Sequence, residues 1–579
     1  MNPALSLDLF VLTFNCAKTI IDVDIFARHL RGALQEHGQS RQGDVSDDPG
    51  DRPQEDLGEL PDLVVFSLQE ISPLAHSFVG GYLLNPYLTP FKEALNLAAT
   101  EFQQPRDKKE GRPGLQRSTS ALSSVWRRQP DYPYKLVEFR NVGMTAIMLF
   151  ARKPDAIHHI QSAECAFGIA NMGNKGAVAL RVTYSDAGTA ADKDDEQAGG
   201  EEVTASASTS APGSAPERRM TELTFVATHL AAMEYNLRRR NANWASIVSS
   251  CTFEDPKAIL PEEYHNAEPG SKNVIEASTK SSSSSSSATP PEGKQTDGGR
   301  DIPLPTEDER AAFLAREERA NSIPADYARR LHNASIFKPG SHLFVAGDLN
   351  YRINTNTPPA LAPFPTLEPD NFQTFFADDQ LTRERSEGRT LHGLSEAEVK
   401  FPPTYKIKHL SAEKAVDAVN SEDVQAGKDV VPWKWASHRW PGWCDRILYL
   451  DIPSWVKQQY GGKLPTEIKV HRYQSMPTML SSDHQPVYLR VSVPLLTPQE
   501  LSPPDDWEIV EDGAGKVDPR LRLPVPIDTG AWERRATARR REVMTGMTTL
   551  FFSTRQGAVV LGTVAVVTIL SWWLYQGLI

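Results

Sequence analysis

The stretch His342-Leu-Phe-Val-Ala-Gly-Asp-Leu-Asn-Tyr-Arg352 decides the fold. Residues 343–346 form a short apolar run, partly β-branched, of the kind that fills a buried strand. Asp348 and Asn350 follow this run and would share one face if the strand continued, because they are two residues apart. The stretch therefore predicts a buried strand that ends in polar, chemistry-bearing side chains. A simpler alternative is an N-cap aspartate followed by a turn asparagine.

The same pattern recurs along the chain, where apolar runs of strand length end in oxygen- or imidazole-bearing side chains. Residues 9–15, 63–70 and 223–229 predict such strands, and 487–493 predict a last alternating strand. Helical segments are fewer than strict βαβ alternation needs. We therefore predict an α/β fold, a two-sheet α/β sandwich rather than a doubly wound sheet. The polar positions at or beside the strand ends are Asn15, Glu70, His229, Asp348, Asn350, Asp483 and His484.

These side chains favour phosphoryl chemistry assisted by a metal ion. Carboxylate and amide oxygens are hard ligands, and a small number of them suits Mg²⁺, which keeps several waters and shares phosphate oxygens. Such an ion would neutralise the charge on a phosphoryl group during its transfer. Asp348 could accept a proton from an attacking water, and Asn350 could orient that water. A histidine at the phosphate donates best as an imidazolium held by a carboxylate.

Composition limits the classes of function. The chain has 579 residues and a net charge of -12, which argues against a broad nucleic-acid-binding surface. Its four cysteines are widely spaced without a CxxC pair, which fits a reducing compartment and neither a zinc site nor a disulfide framework. The N-terminus lacks a basic segment, and Asp8 interrupts its apolar stretch, so we expect no signal peptide.

The chain divides into one catalytic domain over 5–495 and a C-terminal region. Three segments of the domain, 37–60, 185–218 and 253–322, are polar or of low complexity and predict disordered insertions. Residues 496–556 are Pro-rich and charged, and they predict a flexible tether that carries a basic cluster.

Residues 557–579 form an uncharged run of 23 residues, long enough to cross a bilayer as one helix. Trp572, Trp573 and Tyr575 lie near its far end, where interfacial aromatic residues occur. Basic residues precede the run and none follow it, which predicts a single transmembrane tail anchor with the catalytic domain in the cytosol. The same asymmetry favours the endoplasmic reticulum membrane. The preceding basic residues are Arg534, Arg535, Arg539, Arg540, Arg541 and Arg555.

Three motifs resemble signatures of the inositol polyphosphate 5-phosphatases. They are Gly347-Asp-Leu-Asn-Tyr-Arg352, Pro441-Gly-Trp-Cys-Asp-Arg-Ile-Leu448 and Ser482-Asp-His-Gln-Pro-Val487. The resemblance implies a DNase I-like fold and Mg²⁺-dependent phosphatase chemistry. With its apolar tail, the chain most resembles fungal tail-anchored 5-phosphatases of the endoplasmic reticulum. Further matches in the family's order are Asn15, Gln69-Glu70, Asn174-Lys-Gly176, His229-Leu-Ala-Ala232 and Pro403-Thr-Tyr-Lys406.

The resemblance also implies a role for each site residue. Asn15 and Glu70 would hold Mg²⁺, Asp348 would be the general base, and Asn350 would position the water. His484 would contact the scissile 5-phosphate. Its neighbours would be Asp445, which orients it, Asp483 close by, and His229 beside the phosphate. The implied substrate-binding residues are Asn174, Lys175, Tyr405, Lys406 and Arg439, the last three at the ring 4-phosphate.

Two positions depart from the family's pattern, and three others have simpler alternatives. Ser437 stands where the family often has a lysine, although Lys434 is near, and Met233 stands where it often has a histidine. Arg446 is equally consistent with a strand-end ion pair. Trp443 and Cys444 are consistent with core positions.

We therefore expect an enzyme that hydrolyses the 5-phosphate of phosphatidylinositol 4,5-bisphosphate to give phosphatidylinositol 4-phosphate. Its expected partners are a phosphoinositide headgroup and a membrane, without nucleic acid, and we expect a monomer. One alternative is a 5-phosphatase of soluble inositol polyphosphates. A second is a nuclease of the same superfamily, which the Pro-Thr-Tyr-Lys block and the acidic charge disfavour. A third is a lipid-binding scaffold that has lost its catalysis, although the metal ligands and the base are retained.

Overall fold

The structure is a computed structural model. It describes residues 5–35, 59–103, 132–168, 171–185, 219–264, 322–426, 430–505, 507, 517–553 and 555–578. The predicted disordered insertions at 37–60 and 185–218 lie outside the described residues, apart from their edges.

The first large sheet has six strands in the order β13-β14-β1-β2-β4-β3. Strands β1 and β2 run parallel at its centre, and the other neighbours are antiparallel. The parallel pair brings the carboxyl ends of β1 and β2 to the same edge. These strands are β1 (Ser6–Asn15), β2 (Leu63–Gln69), β3 (Lys135–Val142), β4 (Thr145–Ala151), β13 (Lys469–Ser475) and β14 (Val487–Pro494).

The second large sheet has the order β5-β6-β7-β8-β12-β9 and repeats this arrangement. Strands β7 and β8 run parallel at its centre, flanked by antiparallel neighbours. Strands β10 (Ile407–His409) and β11 (Trp433–Trp435) form a separate ribbon. The strands of the second sheet are β5 (Ile157–Ala166), β6 (Gly176–Ser185), β7 (Met220–His229), β8 (His342–Asp348), β9 (Leu394–Ser395) and β12 (Asp445–Leu450).

Helices lie outside the two sheets and connect their strands. Helices α1 and α3 cover the first sheet, and α4 covers the second. The α-helices are α1 (Val23–Gln35), α2 (Leu74–Val79), α3 (Asn85–Phe102), α4 (Leu237–Ser250), α5 (Pro256–Ile259), α6 (Ala325–Ala334), α7 (Pro369–Phe376), α8 (Gln380–Ser386), α9 (Ser421–Gln425), α10 (Ser454–Tyr460), α11 (Pro498–Leu501), α12 (Ala531–Ser553) and α13 (Arg555–Leu578).

The alternation of side chains along each strand builds two kinds of core. In β1, Leu9 and Val11 face the second sheet, while Phe10 and Phe14 face the helices. In β8, Phe344 faces the first sheet, while Leu343 and Val345 face the helices. The inner faces of the sheets therefore meet in one central core, with helix layers outside. This arrangement confirms the predicted two-sheet α/β sandwich.

The predicted insertion at 253–322 begins too early. Phe253 is buried beneath the guanidinium of Arg181, which lies 4.0 Å from its ring centroid. Ile259 and Leu260 pack with Leu331 of α6 in a small apolar cluster. Residues 253–264 are thus part of the folded domain, and the remainder of this prediction, 265–321, lies outside the described residues. Because the apolar residues of 253–264 are few and spaced by prolines and acids, the sequence pattern did not reveal them.

The prediction of a flexible tether over 496–556 is wrong for its described part. This segment contains α11 and the 23-residue helix α12. Ala531, Ala538 and Gly546 of α12 are buried against the domain, mainly against α2. The arginine-rich composition suggested a solvated segment, but small residues at helical spacing allow close packing.

The predicted transmembrane anchor, 557–579, falls on α13. Within the part of the chain that the structure describes, no helix is both long and apolar enough to span a bilayer. All four cysteines lie in the described residues, where they are buried and unpaired.

Arg446 forms a buried ion-pair network in the second sheet. Its guanidinium donates to both carboxylate oxygens of Glu396 at 2.6 and 2.7 Å and to Asp379 at 3.1 Å. The Arg446 side chain is fully buried, which supports the ion-pair interpretation. Trp443 and Cys444 are core residues, as predicted.

Replacing Arg446 with alanine should lower the free energy of unfolding by about 3–5 kcal/mol, because two carboxylates would remain buried without their cation. Arg383→Ala is the matched control, since Arg383 is half exposed and only 3.6 Å from Glu384; its cost should be about 1 kcal/mol or less. Urea unfolding of both variants measures the difference. Equal stabilities would contradict the assignment of Arg446 to a structural network.

Candidate active site

Four of the predicted site residues continue the inner-facing rows of their strands. Asn15 follows Leu9 and Val11 in β1 at the period of two, and Asp348 follows Phe344 and Ala346 in β8. By the same alternation, His229 ends β7 and Asp445 begins β12 on the inner side. Because the rows of both sheets end at the same edge, the polar groups meet where the apolar core stops.

Asp348 lies at the centre of this cluster and is 1% exposed. Asn15 Nδ2 donates a hydrogen bond to Asp348 Oδ2 at 2.9 Å. His229 Nε2 lies 3.2 Å and His484 Nε2 lies 3.8 Å from the same oxygen. Burial would raise the pKa of Asp348, but the two histidines, His484 foremost, hold it well below its usual range. The carboxylate is therefore ionised at physiological pH.

His484 is held by Asp445 on its other side. The Nδ1 atom of His484 lies 2.8 Å from Asp445 Oδ2, and the Thr404 hydroxyl donates to that same oxygen at 2.6 Å. Burial would lower the pKa of His484, but Asp445 and Asp348 raise it to about 9. The ring is therefore an imidazolium at neutral pH. Thr404 was missed at the sequence level, although it lies within the quoted Pro-Thr-Tyr-Lys motif.

Glu70 follows β2 in a left-handed backbone conformation, with φ of 47°. Its carboxylate lies 3.0 Å from the ammonium of Lys18 and 3.9 Å from that of Lys175. Burial would raise the pKa of Glu70, but His229 and the two lysines lower it below its ordinary value. Lys175 also contacts the ring of His229. Sequence reasoning did not identify Lys18, because an isolated lysine after Cys16-Ala17 carries no distinct pattern.

The donor set fits a hard divalent cation at Asn15 and Glu70. Among the described residues, Asp348, Asp445 and His484 form a second cluster of possible ligands, with atoms within 4.8 Å of one another. The His484 ring in that cluster already contacts Asp445 through Nδ1 and faces Asp348 through Nε2, so the Asn15–Glu70 pair is the better candidate. Glu70 is partly accessible and its present partners are ammonium groups, which shows that its position attracts positive charge. Oxygen ligands of this kind match Mg²⁺.

Asn350 does not share a strand face with Asp348, contrary to the conditional expectation. Strand β8 ends at Asp348, and Asn350 takes φ of 57°. Its backbone N–H donates to Asp348 Oδ1 at 3.1 Å, which is the local turn geometry that asparagine favours. Its side-chain amide donates to Leu230 O at 3.2 Å and accepts from Arg352. Asn350 is thus beside the carboxylate, but its side chain is occupied by structural contacts.

Arg352 ends the stretch 342–352, and the sequence pattern assigned it no role. It is 3% exposed, and its guanidinium carbon lies 4.4 Å from the ring centroid of Tyr405. Its Nη1 atom is buried and has no hydrogen-bond partner among the described residues. A buried guanidinium with a spare donor is suited to an anionic group.

Tyr405, Lys406 and Asp483 form one wall of the site. The Tyr405 ring centroid lies 4.5 Å from that of His484, and the Lys406 ammonium pairs with Asp483. Burial would raise the pKa of Asp483, but His484 and Lys406 lower it below its ordinary value. Asp483 therefore contacts Lys406 directly and influences His484 through its charge.

The remaining predicted substrate residues lie farther out. Arg439 pairs with Glu234 at 3.0 Å, and its other terminal nitrogen lies 3.2 Å from Met233 Sδ. Glu234 is 2% exposed and was missed, since one acid after Met233 has no recognisable spacing. Asn174 turns its amide oxygen against the backbone of Gly168. The structure brings Lys175 into the cluster, whereas the amide oxygen of the neighbouring Asn174 lies beside Gly168.

A cavity of about 520 Å³ lies at the β10–β11 ribbon. Lys434 and Ser437 both line it, together with Lys408. Lys434 and Lys408, which are directly opposite each other in this ribbon, thus line the same cavity as Ser437, the position where the family often has a lysine.

Replacing Asp445 with asparagine should lower the pKa of His484 from about 9 toward neutrality, because the contacting charge disappears. Since the folded-state pKa is raised above 6.5, protonated His484 contributes stability that is complete below about pH 6.5 and lost as pH rises through about 9. The variant should lose less stability across that interval. NMR titration of the imidazole nitrogens measures the pKa, and His332, which contacts Pro519 O instead, should titrate unchanged. An unaltered His484 pKa would show that Asp445 does not hold the proton.

Comparison with known proteins supports a family assignment. The model of endonuclease/exonuclease/phosphatase family 2 matches residues 12–190 and 306–490. These two segments cover more than half of the chain and include every predicted site residue except His229, which ends β7 between them.

Curated relatives carry 5-phosphatase names. The rat phosphatidylinositol 3,4,5-trisphosphate 5-phosphatase 1 is 29% identical over 160 residues, which are 28% of this chain and 12% of the relative. The Arabidopsis thaliana type II inositol polyphosphate 5-phosphatase 14 is 24% identical over 352 residues, 60% of this chain and 22% of the relative. The matches thus span less than a quarter of these relatives' length.

A solved structure, the inositol polyphosphate 5-phosphatase domain of SPsynaptojanin with inositol (1,4)-bisphosphate and calcium, aligns over 94% of this chain and 92% of its own. The sequence identity is 17% and the TM-score is 0.42. The chain belongs to endonuclease/exonuclease/phosphatase family 2, and the resemblance of its motifs to the inositol polyphosphate 5-phosphatases is confirmed by the relatives that carry that name.

Proposed function

We propose that this protein is a Mg²⁺-dependent phosphoinositide 5-phosphatase that converts phosphatidylinositol 4,5-bisphosphate to phosphatidylinositol 4-phosphate. The observation that carries the proposal is the buried line Asp445–His484–Asp348, an imidazolium held between two carboxylates. Such an imidazolium can donate an N–H hydrogen bond to a phosphate, while the two carboxylates balance its positive charge. The family motifs and the names of the relatives supply the substrate class.

The scissile phosphate would lie between His484 and the Asn15–Glu70 pair. His484 would donate to a phosphate oxygen on which negative charge develops. Asp348 would accept a hydrogen bond from the attacking water and take its proton as the new bond forms. Its low pKa makes it a weak base, but a loose phosphoryl-transfer transition state needs orientation more than strong deprotonation. Mg²⁺, bound by Asn15 and Glu70, would supply charge neutralisation at the phosphate.

Positive charge on the Tyr405 side of the site would select the ring phosphates. Arg352 has a spare buried donor beside Tyr405. Lys406 also lies near the Tyr405 ring and directly precedes β10, the strand whose Lys408 lines the cavity. Lys406 and Arg439 are each paired with a carboxylate, which keeps them in place until an anion displaces or bridges the pair. Two vicinal phosphates suit a lysine stem and an arginine fork at this position.

The test is phosphate release from a panel of phosphoinositides and soluble inositol polyphosphates, with and without Mg²⁺, followed by identification of the product isomer. We expect Mg²⁺-dependent loss of the 5-phosphate, fastest with phosphatidylinositol 4,5-bisphosphate. Faster turnover of soluble inositol polyphosphates would favour the second candidate function. Cleavage of DNA or RNA without phosphate release would indicate a nuclease of the superfamily.

Asp348→Asn keeps the shape of the side chain and removes its charge. We expect a loss in kcat of about 10²–10⁴-fold, the range typical of acid–base catalysis, with the fold intact by circular dichroism. Asp326→Ala, at an exposed ion pair with Arg329, is the control and should keep full activity. Near-normal turnover by folded Asp348→Asn would remove Asp348 from the chemistry.

We also propose that residues 557–579 anchor the protein in the endoplasmic reticulum membrane with the catalytic domain in the cytosol. The support is the uncharged run of 23 residues and the arginines before it. Helix α12 packs on the domain, so the segment between the domain and the run is shorter than the sequence suggests.

A chain that ends at residue 556 retains α12 and should keep its kcat on a short-chain, water-dispersed substrate, because the removed residues lie outside the site. The truncated chain should move from the membrane pellet to the supernatant and lose reticular localisation in cells. A fluorescent protein fused to residues 530–579 should be found on the reticulum. A truncated chain that still pellets with membranes, or a fusion that stays in the cytosol, would contradict the anchor.

A further inference from the structure

Helix α12 buries one narrow stripe of residues against the domain. Ala531, Ala538, Glu542 and Gly546 are its buried residues, and they recur at helical spacing. A Cβ added to Gly546 would lie 3.0 Å from the carbonyl oxygen of Ala75 in α2, so glycine is what permits this close approach. The stripe is a built interface, and Glu542 is the charged residue within it.

Glu542 is fully buried, and its carboxylate has partners on two sides. From α12 itself, Arg535 Nη2 donates at 3.1 Å and Arg539 Nη1 at 3.3 Å. From the domain, the backbone N–H of Gly173 donates to Oε1 at 2.8 Å. A carboxylate removed from water requires compensating cations and donors. The arginines supply the charge, and Gly173 supplies a link that the helix cannot make alone.

Backbone hydrogen bonds continue this link to the residue beside Glu70. The carbonyl of Gly173 accepts from Met144 N at 3.0 Å, and the carbonyl of Met144 accepts from Ile71 N at 3.2 Å. Ile71 directly follows Glu70. Three consecutive hydrogen bonds therefore join the Glu542 carboxylate to the backbone that holds Glu70.

Two further observations connect the contacts of α12 with the site. Lys175 lies two residues after Gly173 and places its ammonium 3.9 Å from Glu70. Arg539 donates to the carbonyl of Phe78 at 2.7 Å, at the end of α2. The segments at Gly173 and at the end of α2 thus carry or adjoin the groups around Glu70.

We propose that Glu542 is a positioning residue for the active site. It fixes Gly173, and through it the backbone of residues 171–176 and 143–144, so that Lys175 and Glu70 keep their mutual placement. The inference rests on the proposed function for its catalytic readout. This role makes α12 part of the catalytic unit and not only a connection to the tail.

The test compares Glu542→Ala with Glu542→Gln in the full chain. Glutamine keeps an oxygen that can accept from Gly173 N–H but loses the charge that the arginines need. Both variants should therefore have a lower Tm, whereas only Glu542→Ala should lose kcat, by about tenfold or more, and require more Mg²⁺ for half-maximal activity. Displacements of about 1 Å at a reacting centre can produce losses of this size. Glu533→Ala is the control, because Glu533 lies on the exposed side of α12, where it pairs with Lys257 of α5.

Amide hydrogen exchange at Gly173 gives a readout that needs no catalysis. We expect protection in the wild-type chain and in Glu542→Gln, and faster exchange in Glu542→Ala; the rise in Tm that Mg²⁺ produces should shrink only in Glu542→Ala. Equal losses of kcat in the two variants, wild-type kcat in Glu542→Ala, or an unprotected Gly173 amide in the wild-type chain would overturn the proposal. If Glu542→Ala does not fold, the kcat of Glu542→Gln and the amide exchange of Gly173 in the wild-type chain still test the proposal. If the wild-type chain hydrolyses no phosphoinositide, the proposed function fails. Amide exchange at Gly173 and the Mg²⁺-induced rise in Tm then still test the positioning role of Glu542.

Discussion

The hydrogen bond from Asn15 to Asp348 is the interaction on which the candidate site depends. It joins residues 333 positions apart in sequence, from the ends of central strands in different sheets. It can form only if both sheets stack with their inner rows in register and their parallel pairs point to the same edge. A second buried bond between the sheets, from Ser67 Oγ to Ala346 O at 2.8 Å, lies close behind it. The packing of the core and the geometry of the site are therefore one constraint.

Charge compensation explains why so many ionisable groups can be buried at this edge. Asp348 is flanked by His229 and His484, and His484 in turn by Asp445. Each carboxylate is stabilised by a neighbouring cation, and each imidazole gains or loses proton affinity according to the partner it faces. The pKa of His229 is lowered, first by burial and then by Lys175, whereas that of His484 is raised. The pKa values of two histidines beside one carboxylate thus shift in opposite directions because their outer neighbours differ.

The sequence by itself determined strands β1, β2, β7, β8 and β14, the polar ends of the central strands and the sandwich architecture. Apolar runs of strand length stop at Asn15 and at Asp348, so these strand ends can be located without coordinates. Local patterns were sufficient for these strands because apolar runs and their ends are encoded by residues adjacent in the chain. The placement of Asp445 beside His484, 39 residues away, was instead implied by the resemblance of their motifs to a known family.

Only the tertiary structure decided how distant segments complete the site. Nothing in the neighbourhood of Lys18 or Thr404 indicates that they contact Glu70 and Asp445. Asn350 leaves the strand in a left-handed turn, which a continued period of two did not predict. The arginine-rich C-terminal segment packs as α12, because three small residues permit close approach and Glu542 neutralises two arginines. These outcomes depend on which surfaces meet across several hundred residues, and composition or periodicity within a short window carries no information about such meetings.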